Sequence, residues 1–392
     1  MRNPKISFNY FDALKAVAPA TLLIIVLSGM VWAQEASEAG LGELYAGIEV
    51  SHEGVKAAAI RVGEGEVGES VKLVYSETIK APLLPGQDGK LPPEAVKDAA
   101  RAAQKLQTRL QQEYRVQPDR IYFIGRINSG GSQPEDLVKE IKQQTGQTIS
   151  FLTADNEAQL SIVGVIPQRS KAGDAWVDVR GSSVWIEIGN GDTRGGYQLY
   201  KKSPSAKPTF DLVTMNIPYG TGIFAREVNR QIGESKDRQN FIRRAQKLSA
   251  TSLSQALKKE RERKPGLVYR KQVFLTGTIV WALATLLYPE DRQIFVPLTV
   301  DDIEMFGEKT ARNQDSLLNP DLSRIRDQRL RGEIERELES VRDAFTPEQL
   351  IAGSELLKAV ATEFDWQEKK VWFARHGHLG CLLSYIRLQA EK

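Results

Sequence analysis

Three short segments carry residue types and spacings suited to holding a phosphate chain or a metal ion. Residues 177–188, Val-Asp-Val-Arg-Gly-Ser-Ser-Val-Trp-Ile-Glu-Ile, read as a strand, a Gly/Ser turn and a second alternating strand. Small turn residues let backbone N–H groups converge on an anion, and Asp178 stands at the strand end, where a hard cation finds its oxygen ligands. Ile48-Glu49-Val50-Ser51-His52-Glu53-Gly54-Val55 repeats the order of strand, acid, turn and strand. Thr276-Gly277-Thr278 follows the strand Val273 to Leu275 and opens an Ala-rich helix, so Gly277 and Thr278 can present N–H and hydroxyl groups to phosphate. Each segment by itself is equally well a plain turn.

The elements that must position these residues follow from periodicity. Alternation and β-branched content predict strands at 45–50, 55–62 and 70–80, then a Pro/Gly-punctuated loop from Pro82 to Pro93. Glu94 to Tyr114 is a helix with Val96, Ala99, Ala103, Leu106 and Leu110 at helical spacing. A strand at Ile121 to Ile124, a helix at Pro134 to Thr145, a strand at Ile149 to Leu152 and a helix at Asp155 to Val163 follow. Strands alternating with helices indicate α/β lobes rather than a sandwich. The composition turns polar near Pro167 to Asp174, and a second lobe starts there. Later come a basic helical region at Asp237 to Arg263, a charge-dense helix at Leu322 to Phe345 and an amphipathic helix at Pro347 to Phe364. The division is 34–43 as linker, 44–168 as first lobe and 174–392 as second lobe with the C-terminal helices.

Residues 1–33 carry Arg2, Lys5 and Lys15 ahead of an uncharged apolar run, and end on Val31-Trp32-Ala33, small residues at the alternate positions a signal peptidase reads. Cleavage after Ala33 and an uncleaved anchor at 16–33 are the two readings; only the second brings the protein to a membrane. Either way the bulk of the chain is exported, to a periplasmic or extracellular location, and N-terminal sequencing of the mature protein separates the two. Residues 1–33 hold three basic residues and one acid, so the formal charge of +3 falls to +1 without them. Such balance gives no reason to expect a nucleic-acid partner. Cys381 is the only cysteine, which excludes an internal disulfide.

Taken in order, these segments resemble the exopolyphosphatase/guanosine pentaphosphate phosphatase (Ppx/GppA) family over roughly residues 44–390. Gly89-Lys90-Leu91-Pro92-Pro93-Glu94-Ala95 is similar to its Gly-x-Leu-x-x-Glu-Ala entry to the first helix. Thr153-Ala154-Asp155-Asn156-Glu157-Ala158-Gln159-Leu160 is similar to its Ser-Gly-x-Glu-Glu-Ala-Arg-Leu helix. Asp178 to Ser183 takes the place of Asp-Ile-Gly-Gly-Gly-Ser, Ile217-Pro218-Tyr219-Gly220 that of Leu-Pro-Leu-Gly, and Thr276-Gly277-Thr278-Ile279 that of Ser-Gly-Thr-Ile. The resemblance implies two actin-like (ribonuclease H-like) α/β lobes with a phosphate cleft between them. It further implies Glu157 as general base, Arg180, Gly181, Ser183, Gly277 and Thr278 as phosphate-binding residues, and Mg²⁺ held by Asp178 and Glu49.

Several positions depart from that pattern. Glu49 stands for an aspartate, Ser51 for a turn glycine and Glu53-Gly54 for an Asn-Ser pair. Arg180 and Ser182 flank Gly181 where the family has three glycines. The expected phosphate-contacting arginine falls near Ser129-Gly130-Gly131, with Arg126 the nearest arginine. Glu157 also has a second reading, as an acid that complements the dipole of a helix's first turn. Two functions therefore stand. One is a phosphoanhydride hydrolase releasing terminal phosphate from polyphosphate or a related polyanion. The other is a degenerate, non-catalytic protein of the same fold that binds a polyanion or a protein partner, with a homodimer left open.

Overall fold

The computed structural model describes residues 42–51, 54–62, 71–81, 83, 90–126, 134–167, 169–172, 175–201, 209–233 and 237–391. The expected signal segment 1–33, nearly all of 34–43, His52, Glu53 and Ser129 to Gly131 lie outside the described residues. None of the described helices is long and apolar enough to cross a membrane.

Two sheets repeat one topology. In the first, β1 (Glu43–Ser51), β2 (Gly54–Val62) and β3 (Val71–Ile79) form an antiparallel meander. Beside β1 run the parallel strands β4 (Ile121–Arg126) and β5 (Ile149–Phe151), giving the order β3-β2-β1-β4-β5. A separate antiparallel pair, β6 (Arg169–Ala172) with β7 (Ala175–Asp178), leads into the second sheet. There β8 (Ser183–Ile188), β9 (Thr193–Lys201) and β10 (Thr209–Ile217) form the meander, and β11 (Gln272–Thr276) and β13 (Lys370–Ala374) continue parallel to β8. An antiparallel β12 (Phe295–Leu298) closes the edge, so the order is β10-β9-β8-β11-β13-β12. A three-strand meander followed by parallel strands, twice in one chain, is the two-lobed actin-like α/β fold expected from the sequence.

Strand alternation divides the work of each face. Ala46, Ile48 and Val50 of β1 pack against α1 (Pro93–Gln112) and α2 (Glu135–Thr145) through Leu106, Leu110, Leu137 and Ile141. In the second lobe Val184, Ile186 and Ile188 of β8 face a helical layer: α4 (Thr221–Ile232), α5 (Arg238–Leu248), α6 (Ser254–Arg263), α7 (Gly266–Tyr269), α8 (Thr278–Leu287), α9 (Val300–Arg312), α10 (Gln314–Leu318), α11 (Gln328–Ala344) and α12 (Pro347–Glu363).

The opposite faces of the two sheets are separated by α3 (Ala154–Val165) and α13 (Gly380–Ala390). Ile162 and Val165 of α3 meet Trp185, Phe274 and Ala374 of the second sheet. Cys381, Leu382 and Ile386 of α13 meet Ala58, Ile60 and Ile124 of the first. The two helices touch at Gly164, where a Cβ would lie 1.9 Å from the Gly380 carbonyl oxygen, so any larger residue would force them apart. This corrects the expected division of the chain: the last helix, assigned to the second lobe, returns to cover the sheet of the first.

A second correction concerns residues 177–188. They do not form a hairpin, because β7 pairs with β6 whereas β8 pairs with β9 and β11. A 3-10 turn at Arg180–Ser182 joins two strands of different sheets.

Candidate functional site

The central strands β1 and β8 occupy equivalent places in their sheets, and each carries a glutamate near its end on the face turned toward the other lobe. Glu49 shares its face of β1 with Gly47 and Ser51; Glu187 shares its face of β8 with Trp185. The second-lobe counterpart of Glu49 is therefore Glu187, not Asp178. After it comes the hairpin turn Gly189-Asn190-Gly191-Asp192, before β9 begins at Thr193. Asp178 lies in the two-stranded β6–β7 pair, outside the second sheet.

The cations at this centre come from three strands. Register sets Lys56 of β2 opposite Glu49, and Arg126 of β4 opposite Ser51. Arg126 Nη1 donates to Glu49 Oε1 at 3.1 Å, and Lys56 Nζ lies 3.7 Å from the same oxygen. Arg126 Nη2 donates to Glu157 Oε1. From the other lobe, Arg194 Nη1 of β9 donates to that same Glu157 oxygen at 2.6 Å, while its Nε donates to Asp192 Oδ2 at 2.8 Å. A continuous chain of charges thus crosses the interface, Lys56–Glu49–Arg126–Glu157–Arg194–Asp192. Glu49 is wholly buried and Glu157 nearly so; Glu49 Oε2 and Arg126 Nε are buried without a hydrogen-bond partner.

Burial pushes the Glu157 carboxyl up, but Arg126, Arg194 and Lys56 together outweigh it and hold the group below its ordinary value. Burial likewise opposes the charge on Arg126, yet Glu49 and Glu157 keep it firmly protonated. At Glu187 burial wins: the carboxyl is pushed up despite Arg126, Lys56 and Arg194, and among the described residues no donor reaches it.

Glu157 enters this network from the first turn of α3, where Thr153 Oγ1 accepts from Asn156 N at 3.2 Å and caps the helix. A cavity of about 100 Å³ opens beside it, lined by Asp155, Glu157, Trp185, Arg194, Thr214 and Asn216 among others. Gly277 and Thr278 also reach the centre's edge. Thr276 is the register partner of Glu187, and Gly277 turns at φ +102° so close to Ile188 that a Cβ would meet its carbonyl oxygen at 2.1 Å. The turn after β8 has its own commitment: Thr221 N donates to Gly189 O, and Gly222 N and Ile223 N to Asn190 O, which satisfies the first N–H groups of α4.

The remaining expected phosphate ligands are engaged elsewhere. Arg180 Nη2 donates to Val163 O at 2.9 Å and Nε to Ile166 O at 3.1 Å, so its guanidinium caps the carbonyl end of α3. Gly181 lies under the Tyr200 ring, and Ser183 Oγ donates to Val179 O at 2.5 Å. This corrects the cradle assigned to Arg180, Gly181 and Ser183, which is a linker turn tied to α3. The Mg²⁺ expected between Glu49 and Asp178 meets a similar objection. Arg126 and Lys56 already stand at Glu49, so a divalent ion there would face two positive charges, and the residues present do not fit it. Glu187, Lys56 and Arg194 join the centre without belonging to any of the expected site residues. The signal for the true turn was Asn190-Gly191, a strong hairpin dipeptide, directly after an alternating strand.

No protein-family profile matches the sequence, and no curated protein matches it. Solved structures do match. A Ppx/GppA family member from Aquifex aeolicus superposes with a TM-score of 0.56 at 15% identity, covering 88% of this chain and 98% of its own. An exopolyphosphatase-like protein gives 0.56 at 16%, covering 88% and 100%, and an exopolyphosphatase from Cytophaga hutchinsonii gives 0.55 at 14%, covering 88% and 98%. At such identities the likeness is one of fold: this chain has the two-lobed architecture of the Ppx/GppA structures.

Proposed function

We propose that the chain is a non-hydrolytic protein on the Ppx/GppA fold, one that acts by binding and whose interlobe centre is an ion-pair clamp. One observation carries this reading: Arg126 and Arg194, one from each lobe, both donate to Glu157 Oε1. A general base needs a lone pair directed at water and a pKa near the working pH. Glu157 has one of its two carboxylate oxygens, Oε1, shared by two guanidiniums and its carboxyl held below the ordinary range. The clamp also consumes the positive charge a phosphate chain would require.

Phosphate release from polyphosphate and from nucleoside phosphates, with and without Mg²⁺, tests the reading. The expected result is no release that distinguishes the wild type from Glu157→Gln. Release that Glu157→Gln cuts by about 10²-fold or more, the usual contribution of a general base, would overturn it.

The hydrolytic reading keeps one supporting observation, the cavity of about 100 Å³ against Glu157 and Arg194. In that reading the terminal phosphoryl group of polyphosphate or a related polyanion draws the two arginines onto itself, and Glu157, so released, orients the attacking water. The assay above decides between the two, and saturable polyphosphate binding without turnover would identify the polyanion as the ligand of a non-catalytic protein.

A further inference from the structure

Strands β8, β11 and β13 run parallel, so their first residues lie at the end of the second lobe remote from Glu187 and Gly277. Backbone hydrogen bonds knit that end together. Lys370 N donates to Lys271 O, Lys271 N to Ser182 O, and Leu267 N of α7 to Lys264 O at the close of α6. Arg270 lies 3.8 Å over the Tyr197 ring and its Nη2 donates to Gln198 O at 2.6 Å, which fastens α7 beside β9. The surface so formed is basic. Residues 258–271 and 363–370 together hold nine basic residues against five acids, a net +4 in a chain whose whole formal charge is +3. Several of these charges have structural duties: Arg263 and Lys264 pair with Glu260, Arg261 pairs with Glu363, and Lys369 Nζ donates to Leu267 O and Phe364 O. Lys258, Lys259, Lys271 and Lys370 are exposed, and among the described residues they have no ion pair.

We propose that this end of the second lobe docks on an anionic lipid bilayer, with the lysines at the headgroup phosphates and Tyr269 at the boundary with the acyl chains. A second observation gives the patch its direction. Tyr269 is 80% exposed, more than any other large hydrophobic side chain among the described residues, and Leu199 and Tyr200 at the end of β9 are exposed as well. An aromatic ring with a polar tip, set among lysines, suits a membrane–water interface, where the ring leaves water and the ammonium groups meet phosphate. A soluble polyanion would engage the lysines and leave all three apolar groups in water. Helix-dipole compensation accounts for Arg261 and Arg263 in the last turn of α6, but not for Lys271 and Lys370 at strand starts. The contact needs nothing from residues 16–33, and it stands apart from the question of hydrolysis, because none of these residues belongs to the interlobe centre.

Co-sedimentation of the full chain with vesicles tests it, comparing phosphatidylcholine alone with its equimolar mixture with phosphatidylglycerol. The apolar run at 16–33 enters either vesicle, so the readout is the gain that phosphatidylglycerol brings. The expected gain is about tenfold or more at low ionic strength, and raising the salt should abolish it in the wild type. Lys259→Gln, Lys271→Gln and Lys370→Gln combined, all at exposed positions, should remove most of the gain, at about fivefold per lysine. Tyr269→Ser keeps every charge and should weaken binding to the mixed vesicles about fivefold, the loss of partial burial of the ring. Equal binding to the two vesicles, or a gain that survives the triple substitution, would overturn the proposal. A gain indifferent to Tyr269→Ser, together with binding of soluble polyphosphate that the triple substitution removes, would also overturn it and assign the surface to a soluble polyanion.

Discussion

Replacing Arg126 with methionine removes the side chain that touches both Glu49 and Glu157. The guanidinium side chain is 12% exposed, with its partners at 0% and 8%, so water cannot take over its role. Glu157 retains Arg194, but Glu49 is left with Lys56 at 3.7 Å and an oxygen that already lacks a donor. Removing one partner of a buried ion pair costs about 3–5 kcal/mol, because an uncompensated charge remains. Urea unfolding followed by tryptophan fluorescence at pH 7 measures the loss.

The pH dependence supplies an independent check. In the wild type Glu157 is depressed, so its contribution is present above the ordinary carboxyl range and fades as pH falls through the folded value. In Arg126→Met only Arg194 remains hydrogen-bonded to Glu157, so its carboxyl should be depressed less. The two stability curves should therefore converge as pH falls below the ordinary carboxylate range of about 4. A loss below about 1 kcal/mol at pH 7, the scale of a surface ion pair, would refute the argument that this guanidinium bridges two buried carboxylates. A deficit that stays constant with pH would refute it as well.

Two further substitutions probe the same geometry. Glu187→Gln mimics the protonated acid; because burial raises this carboxyl, its stabilising form is present at low pH and lost as pH rises. Thermal melts should show the variant more stable than wild type above neutrality and no better in acid. Arg180→Gly removes both hydrogen bonds to the end of α3. It should cost about 1–3 kcal/mol in chemical denaturation and bring no gain in phosphate release, whereas a gain would restore Arg180 to a phosphate cradle.

The lobes were legible because their signals are local. The alternation of β1 and β2, the helical spacing of Val96 to Leu110 and the strand-to-helix passage at Thr276 to Thr278 each specify an element without reference to the rest of the chain. The C-terminal helix was misassigned for the opposite reason. Leu382 and Ile386 form an apolar face that would suit either sheet, and only the close crossing of Gly164 on Gly380 selects the first. Residues 177–188 misled in another way. Two true strands flank a Gly/Ser turn, and nothing local reveals that they pair with different partners.

The charge network shows where the sequence still held unused information. Arg126, Glu157 and Arg194 meet across two lobes, and no spacing in the chain announces that meeting. Lys56 is different. It stands in the run Val55 to Ile60, whose other members are all apolar and buried, so its ammonium had to find a buried counter-charge. The antiparallel pairing of Ser51 with Gly54 sets Lys56 opposite Glu49 by register alone, which makes Glu49 the acid of an internal ion pair before any metal is considered. A carboxylate matched in this way is a weaker candidate for Mg²⁺.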